Sequence, residues 1–94
     1  MTIDLEEFLK LPNPNIIDIR ENYLYQMKHI PNSINIPYSY LVINPNKYLN
    51  KSDTYYLYCQ AGYSSKSLAK RLNNLGFNTY SLNGGYNKYR LKNN

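Results

Sequence analysis

Cys59 is the one cysteine of the 94-residue chain. It stands where a strand-like run, Thr54-Tyr55-Tyr56-Leu57-Tyr58, gives way to a loop, Cys59-Gln60-Ala61-Gly62-Tyr63-Ser64, with a helix expected from near Ser65. A sulfur at that junction faces the backbone N–H groups of a tight loop and the electropositive end of a helix. Both favour a thiolate over a thiol and hold an anion beside it. Gly62 permits a backbone conformation that a residue with a Cβ resists. Ser64 and Ser65 bring hydroxyls to the helix start, and Lys66 brings positive charge near the mouth. The chemistry this set supports is nucleophilic. A thiolate attacks a sulfane sulfur or a phosphorus centre, and the product, a persulfide or a phosphocysteine, carries negative charge that the loop amides from Gln60 to Ser65 bind. A thiolate already present needs no neighbouring histidine as base. A lone cysteine taken by itself is most often a small buried hydrophobe; the glycine-bearing loop and the serine-opened helix favour the reactive reading here.

The elements that must position this loop follow from hydrophobic spacing and breakers. Asp4 to Leu9 opens with a capping-box pattern, Asp4 and Glu7, and carries apolar residues at helical spacing. Ile16 to Ile19 is a short β-branched run, read as a buried strand. Glu21 to Met27 holds a helix of one or two turns, and Ser33 to Ile36 is a short strand stopped by Pro37. Tyr38 to Tyr48 reads as a weak helix followed by loop, cut by Pro45. Thr54 to Tyr58 is a strand. Ser65 to Leu75 is a helix, with Leu68, Ala69, Leu72 and Leu75 on one face and Gly76 at its stop. Thr79 to Leu82 is a further strand, Gly84-Gly85 a turn, Tyr86 to Leu91 a last short helix, and Lys92-Asn93-Asn94 a frayed tail. Strands alternating with helices predict an α/β fold, a small, mainly parallel sheet flanked by helices on both faces, within a single domain spanning 1–94. In such sheets ligands gather at the carboxyl ends of strands, which is where Cys59 falls.

Composition narrows the partners. The net charge is +5, favouring anionic ligands, but the basic residues are scattered from Lys10 to Lys92 with no clustered stripe or nucleic-acid module. Nucleic acid and membrane are therefore not expected partners, since no apolar run approaches bilayer length. One cysteine forms neither an internal disulfide nor a cysteine-rich metal site, and a free thiol suits a reducing, cytoplasmic setting with no evident signal peptide. Twelve tyrosines each bring a polar tip to place.

The stretch from Cys59 to Ala69 resembles the active-site loop and following helix of a single-domain rhodanese. Ile16-Ile17-Asp18-Ile19-Arg20-Glu21 resembles that family's early strand ending in Asp-x-Arg, and His29 to Pro37 its His-Ile-Pro-Gly-Ala segment. Leu75-Gly76-Phe77 and Leu82-Asn83-Gly84-Gly85-Tyr86 resemble its closing strand and Gly-Gly turn. The likeness runs over nearly the whole chain. It implies a rhodanese-like fold and a sulfurtransferase in which Cys59 takes sulfur from thiosulfate or a similar small anionic donor. The cysteine would carry it as a persulfide and pass it to a thiol or cyanide acceptor, with no metal or organic cofactor. The same likeness makes Asp18, Arg20 and His29 chiefly structural, an ion pair and hydrogen bonds holding loops near the site. It assigns the sulfur cradle to Gln60, Ala61, Gly62, Tyr63, Ser64, Ser65 and Lys66. Many members carry Arg at the position of Ser64, and Gly at those of Lys28 and Asn32. Asn32 tolerates the left-handed conformation that such a turn requires.

Two other readings share these residues. A module relaying a persulfide to a partner protein, without free turnover, would use the same cradle. A cysteine phosphatase or arsenate reductase would need a longer loop closed by an arginine that clamps an oxyanion, and here that stretch offers Ser64 and Ser65.

Overall fold

In the computed structural model, which describes residues 1–92, the apolar runs line up side by side. The strands are β1 (Thr2–Ile3), β2 (Asn15–Asp18), β3 (Ser33–Asn35), β4 (Thr54–Tyr58) and β5 (Asn78–Leu82). They stand in the order β1-β5-β4-β2-β3, and each adjacent pair is parallel. The connecting helices are α1 (Leu5–Phe8), α2 (Asn22–Met27), α3 (Tyr38–Ile43), α4 (Pro45–Tyr48), α5 (Tyr63–Asn74) and α6 (Gly85–Lys92). β4 lies at the centre of the sheet, so the chain leaving its carboxyl end enters the position where parallel sheets place ligands.

Successive strand residues point to opposite faces, and the sequence uses both. Ile17 and Leu57 join Leu41, Leu68, Ala69 and Leu72 in one core, beneath α3 and α5. Ile16 and Tyr58 join Leu5, Phe8, Leu82 and Tyr86 in the other, beneath α1 and α6. Helices on both faces of a small parallel sheet are the architecture expected from the sequence. α5 keeps Leu68, Ala69 and Leu72 fully buried while Lys66, Lys70 and Arg71 face solvent. Gly76, at φ +98° just past the C-cap Leu75, ends α5.

Four local readings are corrected. α5 begins at Tyr63, not Ser65, because Gly62 at φ +101° reverses the chain early. The capping box of α1 does not form: Asp4 makes no side-chain cap bond, and its Oδ1 instead accepts from Asn83 Nδ2 at 2.7 Å. Pro45 does not end helical structure; it opens α4 at a first-turn position where its missing N–H costs nothing. β1 was not foreseen, since two residues show no period; its pairing with β5 makes it a strand. Lys92 closes α6, and the remainder of the expected frayed tail, Asn93 and Asn94, lies outside the described residues.

The core makes a direct prediction. Leu72→Ala lowers the unfolding free energy by about 2–5 kcal/mol in urea titrations followed by circular dichroism. Tyr63→Ala, at a side chain 83% exposed, changes it by less than about 0.5 kcal/mol. Equal effects of the two would contradict the burial pattern.

Candidate active site

Cys59 is the first residue past β4, and its side chain turns toward the core beneath α5, where it is 7% exposed. Two backbone donors reach its sulfur: the Gly62 N–H at 3.2 Å and the Ser65 N–H at 3.3 Å. The cause is local. Gly62 is the N-cap of α5 and has no side chain to accept a helix-end N–H. Ser65 occupies the third helical position, whose amide an N-cap side chain ordinarily satisfies. Cys59 Sγ takes that role, so the helix start is completed by a sulfur, at the end of the helix that favours negative charge. The Ser65 hydroxyl lies 3.4 Å from the same sulfur.

The opposite side of the loop is tied down. The carbonyl of Cys59 accepts the Tyr86 N–H at 2.8 Å, and that of Gln60 accepts the Asn87 N–H at 2.9 Å. Both donors belong to the first turn of α6, whose free amides need acceptors. The approach is close enough to require glycine. A Cβ on Gly85 would stand 2.5 Å from the Cys59 carbonyl oxygen and 2.8 Å from that of Gln60, at φ +57°. Gln60 itself points away from the sulfur, donating from Nε2 to Asn87 Oδ1 at 2.6 Å and accepting from Arg20 Nη1 at 3.0 Å.

Arg20 carries this anchoring to β2. Its Nη2 donates to Asp18 Oδ2 at 2.7 Å and to the Lys28 carbonyl at 2.8 Å, and its Nε lies 3.0 Å from Asp18 Oδ1. The guanidinium carbon sits 4.3 Å from the Tyr86 ring centroid. Burial works to lower the pKa of Arg20, and the hydrogen bonds and charge of Asp18 outweigh it, leaving the guanidinium raised above its ordinary value. Burial likewise pushes Tyr58 well above the tyrosine range. Its neutral hydroxyl accepts the Ile30 N–H at 3.0 Å and lies 3.2 Å from Ser33 Oγ.

The cradle named from the sequence is thus divided. Cys59, Gly62 and Ser65 meet at the sulfur. Ala61, Tyr63, Ser64 and Lys66 are exposed around it and make no hydrogen bond to it, while Gln60 belongs to the anchoring network. Asp18 and Arg20 reach the loop through Gln60. His29 does not: its Nδ1 is 2.8 Å from the Tyr25 carbonyl and its ring stacks on Tyr25 at 3.8 Å. Asn32 adopts φ +71° at the foot of β3. Beside the loop, Met1, Thr2, Tyr63, Lys66, Ser67 and Lys70 line a depression of about 510 Å³. Sequence reading missed the part played by Gly85, Tyr86 and Asn87. The Gly-Gly pair was the available signal, but nothing in it says which carbonyls the turn approaches. Among the described residues no three His, Cys, Asp or Glu side chains group as a metal site requires, and no helix is long and apolar enough to cross a membrane.

The rhodanese-like domain family matches this chain over residues 2–92, and the chain belongs to it. It is similar to the Coxiella burnetii protein named thiosulfate sulfurtransferase GlpE, with 32% identity over 85 residues, covering 89% of this chain and 78% of that protein. It is also 42% identical over 65 residues to a Thermoplasma acidophilum protein named tRNA sulfurtransferase, which covers 69% of this chain. A crystal structure of a rhodanese-related protein from Thermoplasma volcanium superposes with a TM-score of 0.82 at 30% identity, covering 97% of this chain and 91% of that one. Several curated relatives are much longer; the chain spans 13%, 23% and 34% of three of them.

Two substitutions test how the loop is held. Gly85→Ala forces a Cβ into the loop carbonyls, costs about 1–3 kcal/mol or more, and slows alkylation of Cys59 by iodoacetamide. Gly76→Ala has comparable backbone strain, but its Cβ would meet only the Lys51 side chain at 3.6 Å, and it leaves alkylation unchanged. Asp18→Asn strands a buried guanidinium and costs about 3–5 kcal/mol, measured by chemical denaturation.

Proposed function

We propose that this domain is a sulfurtransferase that moves sulfane sulfur from thiosulfate or a similar anionic donor to a thiophilic acceptor through a persulfide on Cys59. The observation that carries this reading is the sulfur of Cys59 taking two amide N–H groups at the start of α5. Such donors stabilise a charged sulfur without any charged side chain in contact with it.

In the first half-reaction the Cys59 thiolate attacks the outer sulfur of thiosulfate. An S–S bond to Sγ forms, the bond to the sulfonate sulfur breaks, and sulfite departs with the electron pair. In the second, an acceptor thiolate attacks the outer sulfur of the persulfide, and the pair returns to Sγ. Charge is conserved in each step, and no redox partner is required. The loop amides of Gln60, Ala61, Tyr63 and Ser64 engage no acceptor among the hydrogen bonds of the described residues, so they are available to the outer sulfur. Exposed Lys66, close after the loop, and Lys70 one turn further along α5 add positive charge that draws an anionic donor toward this side of the domain.

A sulfur-relay role uses the same atoms, and the much greater length of several relatives favours keeping it as the second reading. The oxyanion-clamping reading is disfavoured by the arginine nearest the loop. Arg20 spends its donors on Asp18, Gln60 and the Lys28 carbonyl, leaving no bidentate fork for phosphate or arsenate.

Intact-mass spectrometry tests the proposal. Incubation with thiosulfate adds one sulfur atom, cyanide removes it, and Cys59→Ser never gains it. Loading from a protein persulfide but not from thiosulfate would select the relay. No gain from either donor would overturn both.

A further inference from the structure

Between Cys59 and Ser65, Gln60 is the residue other than glycine that is not exposed. It is held at three atoms. Its Oε1 accepts from Arg20 Nη1 at 3.0 Å, its Nε2 donates to Asn87 Oδ1 at 2.6 Å, and its carbonyl accepts the Asn87 N–H at 2.9 Å. Fixing a glutamine side chain gives up nearly as much rotamer freedom as any residue has to lose. Ala61, Tyr63 and Ser64 are left exposed in the same stretch. The fold spends order on a side chain that does not touch the sulfur.

The direction of these contacts follows from the groups involved. A guanidinium has donors and no acceptor, so the atom of Gln60 that faces Arg20 is its oxygen, and its nitrogen faces Asn87. Asn87 must then present its own oxygen. Arg20, itself set by the Asp18 carboxylate, thereby decides how both amides stand. With side chain and carbonyl both tied, the peptide joining Gln60 to Ala61 keeps its C=O toward Asn87. The N–H of that peptide, on Ala61, points the other way. The other way is the sulfur's side: Cys59 packs in the core beneath α5, whereas Tyr86 of α6 packs in the core on the opposite face of the sheet. We propose that Gln60 is a positioning residue with Asn87 as its partner: together they lock the Gln60–Ala61 peptide so that the Ala61 N–H faces the space an outer sulfur on Cys59 would occupy.

Sγ itself already has the Gly62 and Ser65 N–H groups. The Ala61 amide engages no acceptor among the hydrogen bonds of the described residues. Gln60 therefore acts on the loaded cysteine rather than on the empty one. That role in loading rests on the sulfur-transfer reading; the orientation of the peptide does not.

The experiment compares the wild type with Gln60→Met, Asn87→Ala and the double variant. Asn87→Ala keeps the Arg20 contact and the main-chain bond and suits a helix, so the test does not depend on Gln60→Met, which leaves a guanidinium donor unpaired. At fixed thiosulfate and sulfite, the ratio of persulfide to thiol read by intact mass is expected to fall about three- to tenfold in each single variant, the equilibrium equivalent of one modest hydrogen bond. The pH midpoint for alkylation of unloaded Cys59 by iodoacetamide stays in place, and the double variant falls no further than Gln60→Met. A wild-type ratio in both single variants would overturn the proposal. So would an alkylation midpoint that moves in step with the ratio, since the side chains would then hold the loop as a whole, and so would additive effects of the two substitutions.

A persulfide made without thiosulfate separates this role from the sulfur-transfer reading. Sulfide attacks Sγ of a mixed disulfide between Cys59 and an aromatic thiol; a new S–S bond forms and the aromatic thiolate leaves. Sulfite then attacks the outer sulfur, thiosulfate forms, and the electron pair of the broken bond returns to Sγ. This discharge is expected to be about three- to tenfold faster in the single variants, whose persulfide has lost a donor. Equal discharge in wild type and variants would overturn the positioning role. If thiosulfate loads no form of the protein while the sulfide-made persulfide shows the expected pattern, the sulfur-transfer reading fails and the positioning role stands.

Discussion

The residue at the centre of this fold is held at both of its polar ends, and the two ends are held differently. The carbonyl of Cys59 is fixed by the N–H of Tyr86, while its sulfur receives the N–H groups of Gly62 and Ser65. A trans peptide sets C=O and N–H on opposite sides of its plane. Anchoring the carbonyls of Cys59 and Gln60 at the start of α6 therefore turns the amides of Gln60 and Ala61 the other way. The loop is thus strung between two helix N-termini: α6 takes its acceptors, and α5 is completed by its sulfur. This explains why glycine stands at both close approaches. Gly62 must reverse the chain at φ +101°, with the Gly84 N only 3.0 Å from where a Cβ would lie, and Gly85 must admit the loop carbonyls.

That arrangement needs a rigid base, which the buried Asp18–Arg20 pair supplies. An ion pair with side chains 4% and 0% exposed is expensive to desolvate. Here two further donors are used, one on Gln60 and one on the Lys28 carbonyl, with an aromatic ring beneath the guanidinium. The pair therefore does more than neutralise itself. It joins the end of β2, the segment leading to β3 and the Cys59 loop into one network. A neutral side chain of similar volume would fill the space without fixing Gln60.

The electrostatic character of the site follows. Among the described residues no charged side chain bonds Sγ; its partners are the two amides and the Ser65 hydroxyl, all neutral dipoles. Fixed dipoles can stabilise charge on the sulfur without forming a tight ion pair that would hold the anion in place. The proposed transfer, in which the sulfur gives up charge and recovers it, is better served by such dipoles than by a bound arginine. The lysines stay at the rim, where their effect is attraction rather than clamping.

Much of this was readable in the chain. β-branched and aromatic runs place the inner strands, because a strand buried on both faces needs little else. Leu68, Ala69 and Leu72 at helical spacing give α5, and the position of Cys59 after Leu57-Tyr58 puts a sulfur at a strand's carboxyl end. Asp18 and Arg20 stood out as polar groups leaving a buried strand, which need a partner. What the tertiary structure alone decided are relations between residues far apart in sequence. Asp4 had a suitable partner for a capping box three residues on, yet bonds Asn83 across the sheet. Thr2-Ile3 is a strand only because β5 lies beside it. Ser65 meets Ser81, and the loop carbonyls meet Tyr86 and Asn87, because parallel strand order brings the start of α5, the end of β5 and the start of α6 together at one edge of β4. Local propensity reaches about one helical turn along the chain; contacts between the ends of separate strands exist only once the sheet has set their register.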